Sequence, residues 1–417
     1  VNIKRYKNLR GIEIPISLAL REYVQGYPIY YGYEGDETFL RTLELLLDKT
    51  GIHSVEIDNP YQGHFSDDHI PIKTRHMKLA GEIYGDRVLT HLRLGPDIPD
   101  IKYYLRHMGG IRKTAVGLFT SLDYEKIGYE NREEQLEDIR TGIRILRESG
   151  VEAIRFSVEN GVYYFQNGER DNIKDLIETA IEAGSNTIGL PKTNGTNSID
   201  MFKFGQEVAE IIPDNINIRI HCHGKDPYSY TLDWISGLFS KEHYNVTIET
   251  TLERSMYPNS VEIPGVVEMN HRLLGLESIT GINPELLENR VQDCVGIIYR
   301  PSHLPPYEMA IGTHAAKTRK ESEEYDGHVV EENPERVLSH TTGKHALEWL
   351  LENYGIELDA ETISRLATEI RGIMSGDYSD IDPLEFLDDG IPDADKILRK
   401  VLEIAGYPED LISLNVK

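Results

Sequence analysis

Cysteine is nearly missing from this chain: Cys222 and Cys294 are the only two in 417 residues. Two cysteines build no disulfide framework, and neither has a zinc-type spacing, so a reducing cytoplasm is the default expectation. Long apolar runs are missing as well. No stretch approaches membrane-spanning length, and Val1-Asn2-Ile3-Lys4-Arg5 is not followed by the apolar core of a signal peptide. Positive charge is scarce: 44 Lys and Arg against 70 Asp and Glu leave a net −26 at pH 7. That balance repels polyanions and argues against nucleic-acid partners, although an acidic or salt-tolerant host proteome gives the same figure. No low-complexity tract stands out. What is present is the composition of a globular protein, 39% hydrophobic and 27% charged, long enough for one large domain and a smaller one.

Short runs rich in β-formers alternate with amphipathic helical patterns, the signature of βα units. The strand pattern falls on residues 14–20, 53–57, 88–93, 114–119, 152–157, 186–190, 217–222 and 246–250. Asn131 caps one helix with Glu134 closing a capping box. Leu136, Ile139, Ile143 and Leu146 form its apolar stripe before Gly150 ends it. Asp171 opens another, with Ile173, Leu176, Ile177, Ala180 and Ile181 on one face and Gly184 as terminator. Eight strands and eight helices are the count that closes a (β/α)8 TIM barrel, expected here over about residues 1–275. Residues 276–417 read as a smaller α-rich extension over the barrel mouth, with helical patterns at 345–354, 359–374 and 394–405. Its last part is acidic, through Asp377, Asp380, Asp382, Asp388 and Asp389.

A TIM barrel carries its chemistry at the C-terminal ends of its strands. The seventh ends in Ile218-Arg219-Ile220-His221-Cys222-His223, which presents two imidazoles at i and i+2 on one face of a strand. Such a pair suits one metal ion; the plain alternative is two satisfied inward histidines. The first strand ends in Leu20-Arg21-Glu22-Tyr23-Val24-Gln25, and the third carries Thr90-His91-Leu92-Arg93. The fifth ends in Arg155-Phe156-Ser157-Val158-Glu159-Asn160, and the sixth in Pro191-Lys192-Thr193-Asn194-Gly195. Polar groups at five strand ends converge on one mouth.

These motifs resemble the acyl-CoA-dependent, Claisen-condensing branch of the metal-dependent TIM-barrel lyases and synthases. That branch includes 2-isopropylmalate synthase, homocitrate synthase and Re-type citrate synthase, and the likeness is nearest to homocitrate synthase. Its Leu-Arg-Glu-Gly-x-Gln signature stands here as Leu20 to Gln25, with Glu in place of the Asp of isopropylmalate synthases. Its Thr-His-Ile-Arg strand stands as Thr90 to Arg93, and its Arg-Phe-Ser-x-Glu-Asp stretch as Arg155 to Asn160. Its Asp-Thr-x-Gly turn stands as Lys192 to Gly195, and Gly343-Lys344-His345 matches a Gly-Lys-His element near the C-terminus.

The resemblance implies that Glu22, His221 and His223 ligate a divalent metal, for which Zn, Mn, Co and Mg all suit the donors. Asn259 stands one residue late for the family's fourth position; it is either a ligand or a loop Asn. Acetyl-CoA is the implied co-substrate and a 2-oxo acid the acceptor. Arg21 would hold the ketone oxygen. Arg155, Ser157 and Thr193 would bind a distal carboxylate, so a dicarboxylic oxo acid is expected, 2-oxoglutarate giving homocitrate or oxaloacetate giving citrate. Gln25, His91 and Arg93 would line the same pocket, unless Arg93 instead closes a salt bridge with Glu56. Lys192, where relatives carry Asp, binds either a further anion or a wall carboxylate. A homodimer is implied by the same likeness.

The chain departs from the family where relatives carry a catalytic His in a C-terminal segment. In the corresponding stretch, Gly312 to Gly327, Glu324 replaces that His. His314, Glu324 or Tyr325 takes over proton transfer, or the reaction is modified, or the segment is a solvated loop. His223 is followed by Gly224-Lys225-Asp226 rather than Asn-Asp-x-Gly. The regulatory domain of long isopropylmalate synthases is not expected in the remaining length. Two rivals stand beside the synthase: a Claisen or aldol lyase on the same barrel, and a catalytically reduced binding or regulatory homologue.

Overall fold

The computed structural model describes residues 11–21, 30–59, 70–109, 113–192, 200–224, 226–252, 255–256, 262–276, 279–298, 309–311, 335–388 and 391–407. Eight strands run in parallel and in chain order: β1 (Ile16–Ala19), β2 (Ser54–Glu56), β3 (Val88–Arg93), β4 (Ala115–Ser121), β5 (Ile154–Glu159), β6 (Thr187–Gly189), β7 (Asn217–Ile220) and β8 (Val246–Thr250). β8 pairs back onto β1, so that Ser17 lies opposite both Ser54 and Glu249 and the sheet closes. The expected TIM barrel is the observed architecture, its strand ends shifted by a residue or two from the sequence pattern.

Around the barrel run α1 (Asp36–Leu47), α2 (Ile72–Tyr84), α3 (Pro99–His107), α4 (Arg132–Glu148), α5 (Gly161–Gln166), α6 (Arg170–Ala183), α7 (Met201–Ala209), α8 (Pro227–Phe239) and α9 (Val266–Gly275). The period of two sorts each strand. Leu18, Val55, Phe156, Ile188, Ile220 and Ile248 are buried towards the helices, whereas their neighbours Glu56, Arg155, Arg219 and Glu249 point into the barrel. Helix α4 shows how local signals fix an element. The Asn131 side chain accepts from the Glu134 amide at 3.0 Å, and Ile139, Ile143 and Leu146 are fully buried. The Glu134 carboxylate reaches back to the amide of Glu130 instead of that of Asn131. Helix α6 opens at Arg170, one residue before the expected Asp171.

The barrel core continues past residue 275. Leu287, Val291 and Cys294 of α10 (Pro284–Ile298) are buried in it, with the Cys294 thiol against the Thr42 carbonyl of α1. A second apolar core, from Leu338 to Leu402, is built by α11 (Lys344–Asn353), α12 (Ala360–Ser375) and α13 (Ala394–Ile404). This unit sits on the β1–β2 side of the barrel mouth. The Tyr30 amide donates to the Met374 carbonyl at 3.1 Å and the Ile72 amide to Asp377 at 2.5 Å. The Lys73 ammonium bridges Asp58, just past β2, at 2.8 Å and His340 Nδ1 at 3.1 Å. Among the described residues no helix is long and apolar enough to cross a membrane.

Candidate active site

The middle of the barrel is closed by an ionic floor. From β5, the Arg155 guanidinium reaches across to Glu56 on β2 at 2.5 Å and to Glu249 on β8 at 2.9 Å. Arg219 on β7 donates to the same Glu249 at 2.9 Å, and Arg21, two residues past β1, donates to Glu56 at 2.7 Å. The four inner members are each less than a tenth exposed, so the charges interact in a low-dielectric setting. Burial alone would raise the Glu56 carboxyl, but the charges of Arg155 and Arg21 hold it well below the usual carboxylate range. Glu249 behaves alike: burial opposes ionisation, and Arg219 and Arg155 more than offset it. The crossing needs room. A Cβ on Gly117 would lie 2.8 Å from an Arg155 nitrogen, so only glycine lets the guanidinium pass β4.

His91 stands beside the floor, its Nδ1 3.1 Å from Arg155 Nη2 and its ring stacked on Phe119 at 4.4 Å. Burial, with Arg21 next to it, pushes its pKa down, so it is a neutral imidazole. The same Nδ1 also lies 3.3 Å from Glu56 Oε1, so it faces a donor on one side and an acceptor on the other.

Above the floor, at the end of β7, stand His221 and His223. His221 Nδ1 lies 3.0 Å from Glu249 Oε2, and the carboxylate can only accept, so Nδ1 carries the proton and Nε2 offers its lone pair. That Nε2 is 2.6 Å from Nε2 of His223. Two nitrogens bound to one ion at ~2.0–2.1 Å, near tetrahedral or octahedral angles, stand about 2.9–3.3 Å apart. To hold one ion between them, the two nitrogens would have to part by about 0.3–0.7 Å. The donor set therefore fits a divalent ion: two buried imidazoles with converging Nε2 atoms, one of them oriented by a carboxylate. Among the described residues no third His, Cys, Asp or Glu joins the pair as a ligand. The expected third ligand Glu22 lies outside the described residues, as do Asn259, Gln25, Thr193, His314, Glu324 and Tyr325.

The structure thus gathers Arg21, His91, Arg155, His221 and His223 in one barrel mouth, with Ser157 buried two residues above Arg155 on β5. Arg93 does not join them. It is exposed, and its amide donates to Asp100 at 2.9 Å. The floor carboxylate Glu249 and its partner Arg219 were not singled out from sequence. Their parity was the available signal: Arg219 precedes His221 by two, on the same strand face. Lys192 is buried behind the histidines, its ammonium 3.2 Å from the His223 carbonyl.

A closed (β/α)8 barrel with a carboxylate-oriented histidine pair at the C-terminal ends of its strands defines the class of this protein. No family model matches the chain. It is 22% identical over 256 residues to a probable 2-isopropylmalate synthase from Methanopyrus kandleri, covering 58% of this chain and 48% of that protein. It is 25% identical over 296 residues to homocitrate synthase AksA from the same organism, covering 67% of this chain and 68% of that protein. At 22–27% identity the chain is thus similar to 2-isopropylmalate synthases and to a homocitrate synthase. It spans about half the length of the first such relatives it matches. In fold it is similar to hydroxymethylglutaryl-CoA lyase from Pseudomonas aeruginosa, with a TM-score of 0.51 and 16% identity over 70% of this chain and 94% of the other.

Proposed function

We propose that this chain is an acyltransferase that condenses acetyl-CoA with a 2-oxo acid by metal-assisted Claisen condensation. The observation that carries the proposal is the His221–His223 pair, oriented by Glu249, at the catalytic end of a barrel whose relatives are named as synthases of this kind. His221 and His223 would hold the ion, with Glu22 and with Asn259, which stands one residue late for the family's fourth position; Zn, Mn, Co and Mg all suit these donors. When bound, a divalent ion supplies Lewis acidity that polarises a ketone and steadies the alkoxide formed on it.

The residues of the chain do the rest. Arg21, partly exposed at the mouth and tied to Glu56, would meet the oxygen of the acceptor carbonyl. His91, a neutral imidazole, lines the pocket beside it. Arg155 acts as the floor of the pocket and holds Glu56 and Glu249 apart. In this reading Ser157 and Thr193 line the far end of the acceptor. A dicarboxylic acceptor such as 2-oxoglutarate or oxaloacetate reaches Arg155 only in competition with those two carboxylates. Acceptors with an uncharged far end are therefore expected to turn over at least as well. The methyl proton of acetyl-CoA is assigned to His314, Glu324 or Tyr325, and two copies of the chain assemble, as the family likeness implies. Two buried thiols, the Cys222 thiol pushed up to about 12 by burial, suit a reducing cytoplasm.

The test is thiol release from acetyl-CoA across a panel of 2-oxo acids, with metal content measured alongside. Release with at least one acid is expected, with loss of both release and bound metal in His221→Ala. A chain that binds metal yet releases no thiol with any acid would sink the synthase reading and favour the binding homologue.

A further inference from the structure

The two histidines are held by different means. His221 is oriented through its ring, by Glu249. The backbone of His223 is gripped on both its amide and its carbonyl by Lys192. We propose that Lys192 is a positioning residue that clamps the His221–His223 segment from behind, keeping the second imidazole in ligating register. This rests on the metal-centre reading above.

The clamp has a backbone part and a side-chain part. Two residues beyond Leu190, Lys192 forms a parallel bridge to Cys222, outside β6 and β7 proper. Its amide donates to the His221 carbonyl at 3.0 Å, and its carbonyl accepts from the His223 amide at 2.8 Å. These bonds grip both sides of Cys222 and continue the β6–β7 ladder into the ligand segment. The side chain then folds back, and the ammonium donates to the His223 carbonyl at 3.2 Å while resting 4.5 Å above the Tyr230 ring. The residue is 1% exposed. Burying an ammonium is unfavourable unless its interactions repay the lost hydration, and an aliphatic residue would fill the space without that penalty. The ammonium meets the His223 carbonyl and the Tyr230 ring face, both beside His223.

Gly224 completes the device. It has φ +145°, and a Cβ there would lie 2.8 Å from the Tyr230 ring and 3.2 Å from the Lys192 ammonium. The turn that follows His223 is thus pressed flat against the clamp, and only glycine allows that approach.

The test uses the full chain and Co2+ as probe, read by its visible absorption and by titration, with the thermal midpoint of each variant recorded. Lys192→Met removes the donor while keeping the length. It is expected to weaken Co2+ binding by about 10–100-fold, the range for loss of a group that orients a ligand, and to alter the visible band. Lys192→Gln keeps an N–H for the His223 carbonyl without the charge and is expected to stay within about 3-fold of the unmodified chain. Should Lys192→Met fail to fold, Lys192→Gln decides alone: retention supports the clamp and a loss of tenfold or more overturns it. Unchanged or tighter Co2+ binding in Lys192→Met, or equal weakening in both variants, also overturns it. Absence of Co2+ uptake by the unmodified chain overturns the metal centre itself, and the clamp with it.

Discussion

In the C-terminal unit, Leu347, Leu366, Ile370, Ile373 and Val401 meet as apolar neighbours; inside the barrel the equally buried residues are Glu56, Arg155, Arg219 and Glu249. Both regions exclude water. They differ in what happens when one member is lost. An apolar core gives up transfer free energy and gains a cavity, in proportion to the volume removed. An ionic core loses a counter-charge and strands its partner, a penalty set by the charge left behind and not by volume. A barrel that must keep polar groups pointing at its mouth accepts the second kind of core because the first offers no chemistry.

The largest expected effect follows from that difference. Arg155→Met leaves both Glu56 and Glu249 short of their shared partner and should cost about 3–5 kcal/mol in urea unfolding. Adding Glu249→Gln and Glu56→Gln to it should return part of the loss, because the stranded charges go with it. A loss below about 1 kcal/mol for Arg155→Met would show the floor to be hydrated, and would remove the contrast between the two cores. The same network sets an acid limit. Glu56 and Glu249 titrate in the fold below their ordinary value of 4.5, so the stability they contribute is full above that pH. It drains away as pH falls through the folded values. Urea midpoints between about pH 7 and about pH 3 should fall for the barrel transition and hold better for the apolar unit.

Leu366→Ala is the matching lesion in the C-terminal unit. With a fully buried side chain, it should cost about 3 kcal/mol, independent of pH across the same range. A pH dependence as steep as that of Arg155→Met would mean that the two cores unfold as one. Gly117→Ala comes next, at about 1–3 kcal/mol, because the new methyl meets Arg155 at 2.8 Å and the guanidinium must shift off its carboxylates. Its cost should shrink when Arg155 is already Met, which a double-variant cycle measures.

How much of this was legible in sequence divides along the same line. The outer face of the barrel was readable because its determinants are local. Val88–Arg93 and Val246–Thr250 coincide with their β-rich runs, and Asn131 caps its helix as its spacing to Glu134 implies. The histidine pair was readable for the same reason, since i and i+2 on a strand share a face whatever the rest of the fold does. The floor was not. Arg155 finds Glu56 and Glu249 99 and 94 residues away, across a closed barrel. Parity tells that such side chains point inward but not which of them meet. Resemblance assigned Arg155 to a substrate carboxylate; in the fold, two protein carboxylates occupy its terminal nitrogens. Helix α10 was likewise left with the C-terminal extension because nothing in its own pattern says which core its apolar face will enter.

The smallest expected effects are the ones that ask whether the two regions differ in anything besides their cores. Asn131 caps a barrel helix through the Glu134 amide at 3.0 Å, and Asp393 caps α13 through the Lys396 amide at 3.1 Å. Each cap satisfies one orphan amide at a helix start, so each should cost about 1 kcal/mol on change to Ala. The helices are held to the cores beneath them by other residues, α4 by Ile139, Ile143 and Leu146 and α13 by Ile397, Leu398 and Val401, all buried. Equal losses at the two caps would place the whole difference between the regions in what they bury. A markedly larger loss at Asn131 would instead mean that the start of α4 helps to set the height of β5, and with it the position of Arg155, so that the ionic floor depends on the helices outside it.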